Sequence, residues 1–273
     1  MPDRARRAAA AGAALGALGV LLATSVVSAR LAVRRSAEPA DAPHGVRADQ
    51  VPPGRRWLPG FALETDAGRV EEPPSVATTS RRTVRTDAAD VEITQVADDE
   101  WELVVHARAQ ITSVTFPWRS RASGLDTASA STVLLYPAML GVAVQAPHAA
   151  SLGLDRRRYP GDCFAPLLVL ADARTAELVA ATTWPPRTVI PVYAPEGLAL
   201  RWPGALGAGE SRGHRVRMAR FAGDEGAGRA PWLAAALAFR AWLVPQLDAA
   251  GLSPADPAWL VESDGWQNVQ LQN

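Results

Sequence analysis

The sequence predicts a mainly β protein in which roughly ten short strands form a sandwich or a barrel and one helix follows them. Three observations lead to this prediction. Between residues 57 and 222, short apolar runs recur and are separated by turn residues. Within several runs apolar and polar residues alternate, as they do where one face of a sheet is buried, and no helical period competes with them. After position 230 the pattern changes to that of a helix.

The clearest strand pair is a hairpin over residues 91–107. In VEITQV (91–96) Val91 and Ile93 alternate with polar residues, in WELVVHA (101–107) Trp101, Leu103 and Val105 alternate along the run, and the polar ADDE segment between them supplies the turn. The sequence predicts further strands at ITSVTFPW (111–118), STVLLY (131–136), LGVAVQA (140–146), CFAPLLVLAD (163–172), AELVAATTW (176–184), TVIPVYA (188–194), GLALRW (197–202) and GHRVRMARF (213–221).

The segment PWLAAALAFRAWLVPQLDAAG (231–251) predicts the helix. Pro231 suits the first helical position, where a missing N–H costs nothing. Pro245 is expected to kink or end the helix. Helical spacing predicts that an apolar stripe faces the core, formed by Trp232, Ala236, Phe239 and Leu243.

The N-terminal part of the chain predicts export. Residues 1–35 contain an uncharged run at 8–29 that follows three arginines and ends on Val-Ser-Ala, a pattern that suits signal peptidase. More arginines follow at once, which favours an uncleaved membrane anchor, so secreted and membrane-anchored forms both stay open. Residues 36–56 are rich in Pro, Ala and charge and predict a disordered linker. The sandwich is then expected over 57–226.

Composition excludes several classes of chemistry. All 28 basic residues are arginine, which rules out a P-loop lysine and a Schiff-base lysine. The single cysteine, Cys163, cannot form an intramolecular disulfide and is expected to be a buried small hydrophobe. The four histidines have no metal-ligand spacing, so no metal and no cofactor are predicted. Zero formal net charge and scattered basic residues give no indication of nucleic-acid binding.

Tryptophan content provides the candidate binding residues. The chain has nine Trp and three Tyr, and indole faces suit the apolar C–H faces of pyranose rings. Trp118, Trp184 and Trp202 lie near the ends of predicted strands, where a sandwich presents ligand contacts. Each could instead fill the space between two sheets. The predicted carbohydrate-binding residues are Trp118, Tyr159 and Trp184.

The last residues, PAWLVESDGWQNV (257–269), predict a short strand at Trp259–Val261. Glu262 and Asp264 follow it two positions apart and would project from one face. Glycoside hydrolysis uses such a carboxylate pair, which keeps a self-sufficient hydrolase open as one hypothesis. The pair lies at a chain end without the supporting residues that catalysis needs, so catalytic residues remain unknown.

Several phrases together resemble one enzyme family. ITSVTFPW followed by STVLLYPAMLG, and RRYPGDCFAPLLVLADARTAELVAAT, resemble the N-terminal sandwich of certain glycoside hydrolases. PWLAAALAFRAWL resembles the helix that links this sandwich to a (β/α)₈ barrel, and PAWLVESDGWQNV resembles the first strand of the barrel. The family is similar to endo-α-N-acetylgalactosaminidase-like and α-galactosidase-like enzymes, and the resemblance covers about 90–273.

This resemblance implies an antiparallel, galactose-mutarotase-like supersandwich, a linker helix in 227–256 and the truncated start of a barrel in 257–273. Family members carry their catalytic carboxylates on later barrel strands, so none maps here. The implied function is the non-catalytic sandwich portion of an exported glycoside hydrolase, which supports the barrel and binds carbohydrate. Its partners would be a glycan, the barrel of the full-length protein and, if the leader is uncleaved, the membrane. The alternative is a complete surface-anchored β-sandwich that binds or scaffolds without enzymatic activity.

Overall fold

The alternating runs of the sequence form the strands of antiparallel sheets. A computed structural model describes residues 51–118, 125–137, 142–147, 157–163, 165–184, 187–194, 197–223 and 230–249. All of these belong to one of the two units into which the chain divides, Pro43–Asn273. The described part contains fifteen strands and one helix, which confirms the predicted mainly β class with a helix after the strands.

The strands and the helix have the following bounds: β1 (Arg56–Leu58), β2 (Gly60–Thr65), β3 (Gly68–Glu72), β4 (Ser75–Ala77), β5 (Arg81–Arg85), β6 (Ala89–Ala97), β7 (Glu100–Ala107), β8 (Ile111–Trp118), β9 (Val133–Tyr136), β10 (Val142–Gln145), β11 (Leu167–Ala171), β12 (Thr175–Ala181), β13 (Ile190–Ala194), β14 (Gly197–Leu206), β15 (Ser211–Ala222) and α1 (Pro231–Ala249).

Two large sheets face each other. The eight-stranded sheet has the order β10-β9-β11-β12-β15-β7-β6-β5, and the five-stranded sheet has the order β13-β14-β8-β2-β3. Strands β1 and β4 form a separate two-stranded pair. Every pairing is antiparallel. The predicted hairpin is the β6–β7 pair, in which Ile93 lies opposite Leu103.

The space between the two sheets holds the main hydrophobic core. Alternation along each strand brings every second side chain inward, and each fully buried Leu, Ile or Phe contributes about 2 kcal/mol to stability. Cys163 belongs to this core with 3% of its surface exposed, which confirms the expected buried thiol. Burial raises the pKa of the Cys163 thiol, and the nearby Asp162 carboxylate raises it further. The largest fully buried side chains include Phe61, Phe116, Tyr136, Leu58, Leu168 and Leu200.

Helix α1 covers the outer face of the eight-stranded sheet and forms a second core. Ala235 and Phe239 are buried against β11 and β12. The strand positions beneath them are small or medium-sized, which lets the helix approach closely. Those strand residues are Ala165, Val169, Ala171, Ala176, Leu178 and Ala180.

The predicted apolar stripe placed Phe239 and Trp232 on the helix face that packs on the core. This is correct for Phe239, which is 5% exposed, and wrong for Trp232, which is 42% exposed. Pro231 explains the difference. It is buried and packs so closely on the end of β15 that a Cβ at Gly223 would lie 3.2 Å from its ring. The next residue, about 100° further round the helix, therefore points away from the sheet.

Pro245 does not end the helix, which continues to Ala249. A proline at this position removes the hydrogen bond that the Ala241 carbonyl would accept. Ala241 and Pro245 are both exposed, so water can hydrate that carbonyl and the helix tolerates the loss.

The leader-like run at 8–29, the sequence 257–273 and the Glu262–Asp264 pair lie outside the described residues, and the expectations about them stay predictions. Within the described ranges, no helix is both long enough and apolar enough to cross a membrane.

We expect Phe239→Ala to lower the free energy of unfolding by about 3 kcal/mol, because it empties the centre of the contact between α1 and the sheet. Leu237→Ala is the matched control. Leu237 is 39% exposed on the same helix, so its loss should cost less than about 0.5 kcal/mol. Urea denaturation followed by circular dichroism measures both values. Equal values for the two variants would contradict the packing described for α1.

Candidate functional site

A cleft lined by aromatic side chains lies at the end of the sandwich where β11 begins and β12 ends. Helix α1 closes one side of it with its second half. The cleft is open to solvent, and the roughly 340 Å³ of empty space at its walls includes part of that solvent. Its lining includes Tyr159, Trp184, Arg187, Trp202, Phe239 and Trp242.

Backbone pairing fixes Tyr159 beside the start of β13. The Tyr159 N–H donates to the Val189 carbonyl at 2.8 Å, and the Val189 N–H donates to the Tyr159 carbonyl at 2.9 Å. The turn that follows closes through the Cys163 N–H, which donates to the Arg158 carbonyl at 2.9 Å. Partial burial raises the pKa of Tyr159, so the phenol keeps its proton and can donate a hydrogen bond at neutral pH.

The two threonines before Trp184 hold this residue in place. The Thr182 N–H donates to the Arg215 carbonyl at 2.9 Å, and the Thr182 hydroxyl donates to Glu100 at 2.7 Å. The Arg215 N–H donates to the Thr183 hydroxyl at 2.8 Å. These bonds tie the chain beyond β12 to β15. Trp184 is half-buried in the cleft wall.

Trp202 forms the inner end of the cleft, and the helix supplies the opposite wall. Trp202 is 3% exposed and belongs to the main core, so it also fills the space between the sheets. On α1, the rings of Phe239 and Trp242 lie 5.5 Å apart at 33°. The aromatic lining therefore comes from four separate parts of the chain.

Arg187 is the charged residue of the lining. It is exposed, and its Nη1 donates to the Gly213 carbonyl at the long distance of 3.5 Å. Across the described part of the chain, no carboxylate forms an ion pair with it. Its guanidinium therefore has donors left for a ligand.

His214 lies behind Trp202, inside the sandwich. Only 1% of its surface is exposed, and its ring lies 4.6 Å from that of Trp202. Neither ring nitrogen has a hydrogen-bond partner among the described residues. Burial, and then the nearby charges of Arg187 and Arg212, lower the pKa of His214 to about 3. The imidazole is neutral at physiological pH.

The structure brings two of the three predicted sugar-contact residues, Tyr159 and Trp184, to the same cleft. Trp118 lies elsewhere, at the end of β8, where the guanidinium of Arg69 covers its ring at 4.1 Å. Whether any of the three binds carbohydrate stays a prediction. Sequence reasoning did not identify Arg187 or Trp242 as lining residues. Helical spacing from Phe239 was the one available signal for Trp242.

A row of polar residues on the outer face of the eight-stranded sheet was also missed. Asp90, His106 and Ser211 lie directly opposite one another on β6, β7 and β15. His106 Nδ1 and the Ser211 hydroxyl are 2.7 Å apart, but the Asp90 carboxylate accepts from Arg108 at 2.7 Å. His106 and Ser211 are exposed on the outer face of the sheet. The row is a surface hydrogen-bonding arrangement.

Among the described residues no cluster of His, Cys, Asp and Glu is placed to hold a metal ion. The cleft, with its aromatic walls and one unpaired cation, is the candidate functional site.

Comparison with known proteins adds one distant likeness. No protein-family model matches the chain, and no curated protein sequence matches it. One similar solved structure is a polysaccharide lyase, with 8% sequence identity and a TM-score of 0.31. The alignment covers 62% of this chain and 26% of the lyase chain. A likeness at this TM-score carries no argument about fold or function. What the fold and the site define is a β-sandwich protein with a helix-covered aromatic cleft.

We expect His214 to make stability depend on pH. In the unfolded chain the imidazole binds a proton below about pH 6.5, whereas in the folded chain it stays neutral down to a pH of about 3. The contribution of the neutral imidazole to the free energy of unfolding is therefore complete above pH 6.5. It is lost as the pH falls towards 3, by about 1 kcal/mol per pH unit. Denaturant unfolding at a series of pH values measures this slope.

His214→Phe removes the titrating group and keeps a flat ring beside Trp202. This variant should show a shallower loss of stability between pH 6.5 and 4 than the wild type. His106→Gln, at the exposed histidine of β7, serves as the control and should leave the slope unchanged. The same slope in wild type and His214→Phe would contradict the neutral buried imidazole.

Proposed function

We propose that the chain binds carbohydrate in the aromatic cleft. The observation that carries this proposal is the convergence of Tyr159, Trp184, Trp202 and Trp242 on one opening. A pyranose ring presents apolar C–H faces and a rim of hydroxyls. Aromatic rings cover the faces, and a few polar groups bind the rim.

Polar groups of the cleft can bind such a rim. The Tyr159 phenol is a donor, and the Thr183 hydroxyl, which accepts from the Arg215 backbone, still has its own proton to donate. Arg187 adds a guanidinium at the opening.

Within a larger protein, the proposed role is the non-catalytic sandwich portion of an exported glycoside hydrolase. Export rests on the leader-like run at 8–29, and the link to a barrel rests on the resemblance of residues 231–243 and 257–269. The outer face of α1 supports the idea of a neighbouring domain. Leu233, Leu237 and Val244 follow helical spacing on that face and are 37%, 39% and 39% exposed.

The same apolar helix face favours the second candidate function, which is a scaffolding protein without sugar binding. A contiguous apolar surface is typical of a protein–protein contact. In this case the cleft would be a packing defect beside α1, and the interaction surface would be Leu233, Leu237 and Val244. The two candidate functions predict different results. Sugar binding should depend on Trp184 in the cleft, and protein–protein association should depend on Leu237 on the helix.

Trp184→Ala should weaken oligosaccharide binding about tenfold, because it removes one stacking face from the cleft. Isothermal titration calorimetry of the full chain against short galacto- and gluco-oligosaccharides measures this loss. The matched control is Trp232→Ala, since Trp232 is 42% exposed on α1 and is not part of the lining. Binding that is absent, or equal in wild type and Trp184→Ala, would remove the cleft from consideration and favour the scaffold.

Leu237→Glu should raise the solubility of the isolated chain and reduce its self-association, because a charge interrupts the apolar face of α1. Sedimentation velocity at increasing concentration measures association. Val96→Glu is the control: Val96 is 42% exposed on β6, away from the helix. Equal effects of the two substitutions would mean that the helix face has no special role as a contact surface.

A further inference from the structure

Arg187, the charged residue of the cleft lining, has no acidic partner among the described residues. Four other arginines pair with nearby carboxylates at 2.5 to 2.9 Å, namely Arg69 with Glu64 and Glu71, Arg81 with Glu92, Arg108 with Asp90 and Arg217 with Asp99. Within the part of the chain that the structure describes, Arg187 has only the 3.5 Å contact with the Gly213 carbonyl. This guanidinium is exposed in the cleft with most of its five N–H donors unused.

Further positive charge lies on the same side. Arg212 is bonded to the Ala205 carbonyl at 3.0 Å and, within the described ranges, forms no ion pair. Arg187 and Arg212 both act on the buried ring of His214, whose pKa they help to lower. The two guanidinium groups therefore both lie near this ring.

Among the described residues, neither of the two carboxylates near this end of β7 forms an ion pair with Arg187 or Arg212. Glu100 accepts a hydrogen bond from the Thr182 hydroxyl at 2.7 Å. Glu102 pairs with Arg215 at 3.3 Å. The cleft therefore combines aromatic walls with a guanidinium at its opening that forms no ion pair among the described residues.

From this geometry we infer that the cleft selects acidic glycans, whose carboxylate or sulfate group is bound by Arg187 while a sugar ring stacks on Trp184. This inference rests on the carbohydrate binding proposed above and specifies its ligand class. Both residues line the same cleft and are three positions apart in the chain. A guanidinium presents a planar fork that matches the two oxygens of a carboxylate and also binds sulfate.

Calorimetric titration with matched tetrasaccharides tests the inference. The probes are tetragalacturonate, its carboxyl-reduced neutral form and a sulfated version of that neutral form. Tetraglucuronate and its carboxyl-reduced form repeat the comparison in a second sugar series. We expect an acidic member to bind at least about fivefold more tightly than its neutral form, and the preference to shrink in 0.5 M salt, where screening is strong. The carboxylate and sulfate arms show which anion Arg187 prefers.

Arg187→Gln should abolish the preference, so that the acidic and neutral forms bind with equal affinity, because the aromatic walls remain. Arg187→Lys keeps the charge without the fork and should retain part of the preference. Arg85→Gln is the matched control. Arg85 has 81% of its side chain exposed on β5, and its contact with Asp90 is 3.8 Å long, so this variant should behave as wild type. Circular dichroism confirms that each variant is folded.

Different outcomes overturn the selection of acidic glycans and the proposed binding of carbohydrate. If acidic and neutral sugars bind equally and Trp184→Ala weakens both, the cleft binds carbohydrate and the selection for acidic glycans is wrong. An acidic preference that survives in Arg187→Gln also overturns the inference, since another group must then bind the anion. If no probe binds, or Trp184→Ala changes nothing, the proposed function fails and the inference fails with it.

Discussion

The close contact between α1 and the outer face of the eight-stranded sheet is the constraint on which the cleft depends. Small side chains on β11 and β12, such as Ala171, Ala176 and Ala180, meet Ala235 and Phe239 of the helix. Larger residues at these strand positions would lift the helix away, because a packed interface has little spare volume. The helix would then carry Trp242 away from Trp184, and the aromatic walls would no longer face each other. Packing on the back of the sandwich therefore fixes the width of the opening at its end.

Much of the fold was accessible from the sequence, because alternation and turn residues are local signals. The hairpin β6–β7 and the change to a helix at Pro231 were predicted with nearly the observed bounds. Strands β1 to β5 were not predicted, and among them GRVEE of β3 and RRTVR of β5 are short and mostly polar. Pairings such as β12 with β15 join segments that are distant in sequence, and they depend on how the sheets pack together.

The candidate site was predictable only in part, for the same physical reason. Tyr159 and Trp184 follow from their positions at turns and strand ends, which a single sequence shows. Trp118 shares that kind of position, but Arg69, from another strand, covers its ring, and this contact depends on the pairing of β2 with β3 and β8. The role proposed for Arg187 depends on the absence of an ion pair among the described residues, and such an absence is a property of the three-dimensional neighbourhood alone. Sequence predicts candidate contacts well where the determinant is local.

The single thiol of the chain gives the protein an internal reporter of local opening. Cys163 is almost fully enclosed, and its backbone N–H closes the turn that follows Tyr159. An alkylating reagent can reach its Sγ only when this turn unfolds transiently, and the raised pKa keeps the thiol in its unreactive form until then. The alkylation rate under native conditions thus measures how often one edge of the cleft comes apart. With no second cysteine in the chain, that rate has a single structural source.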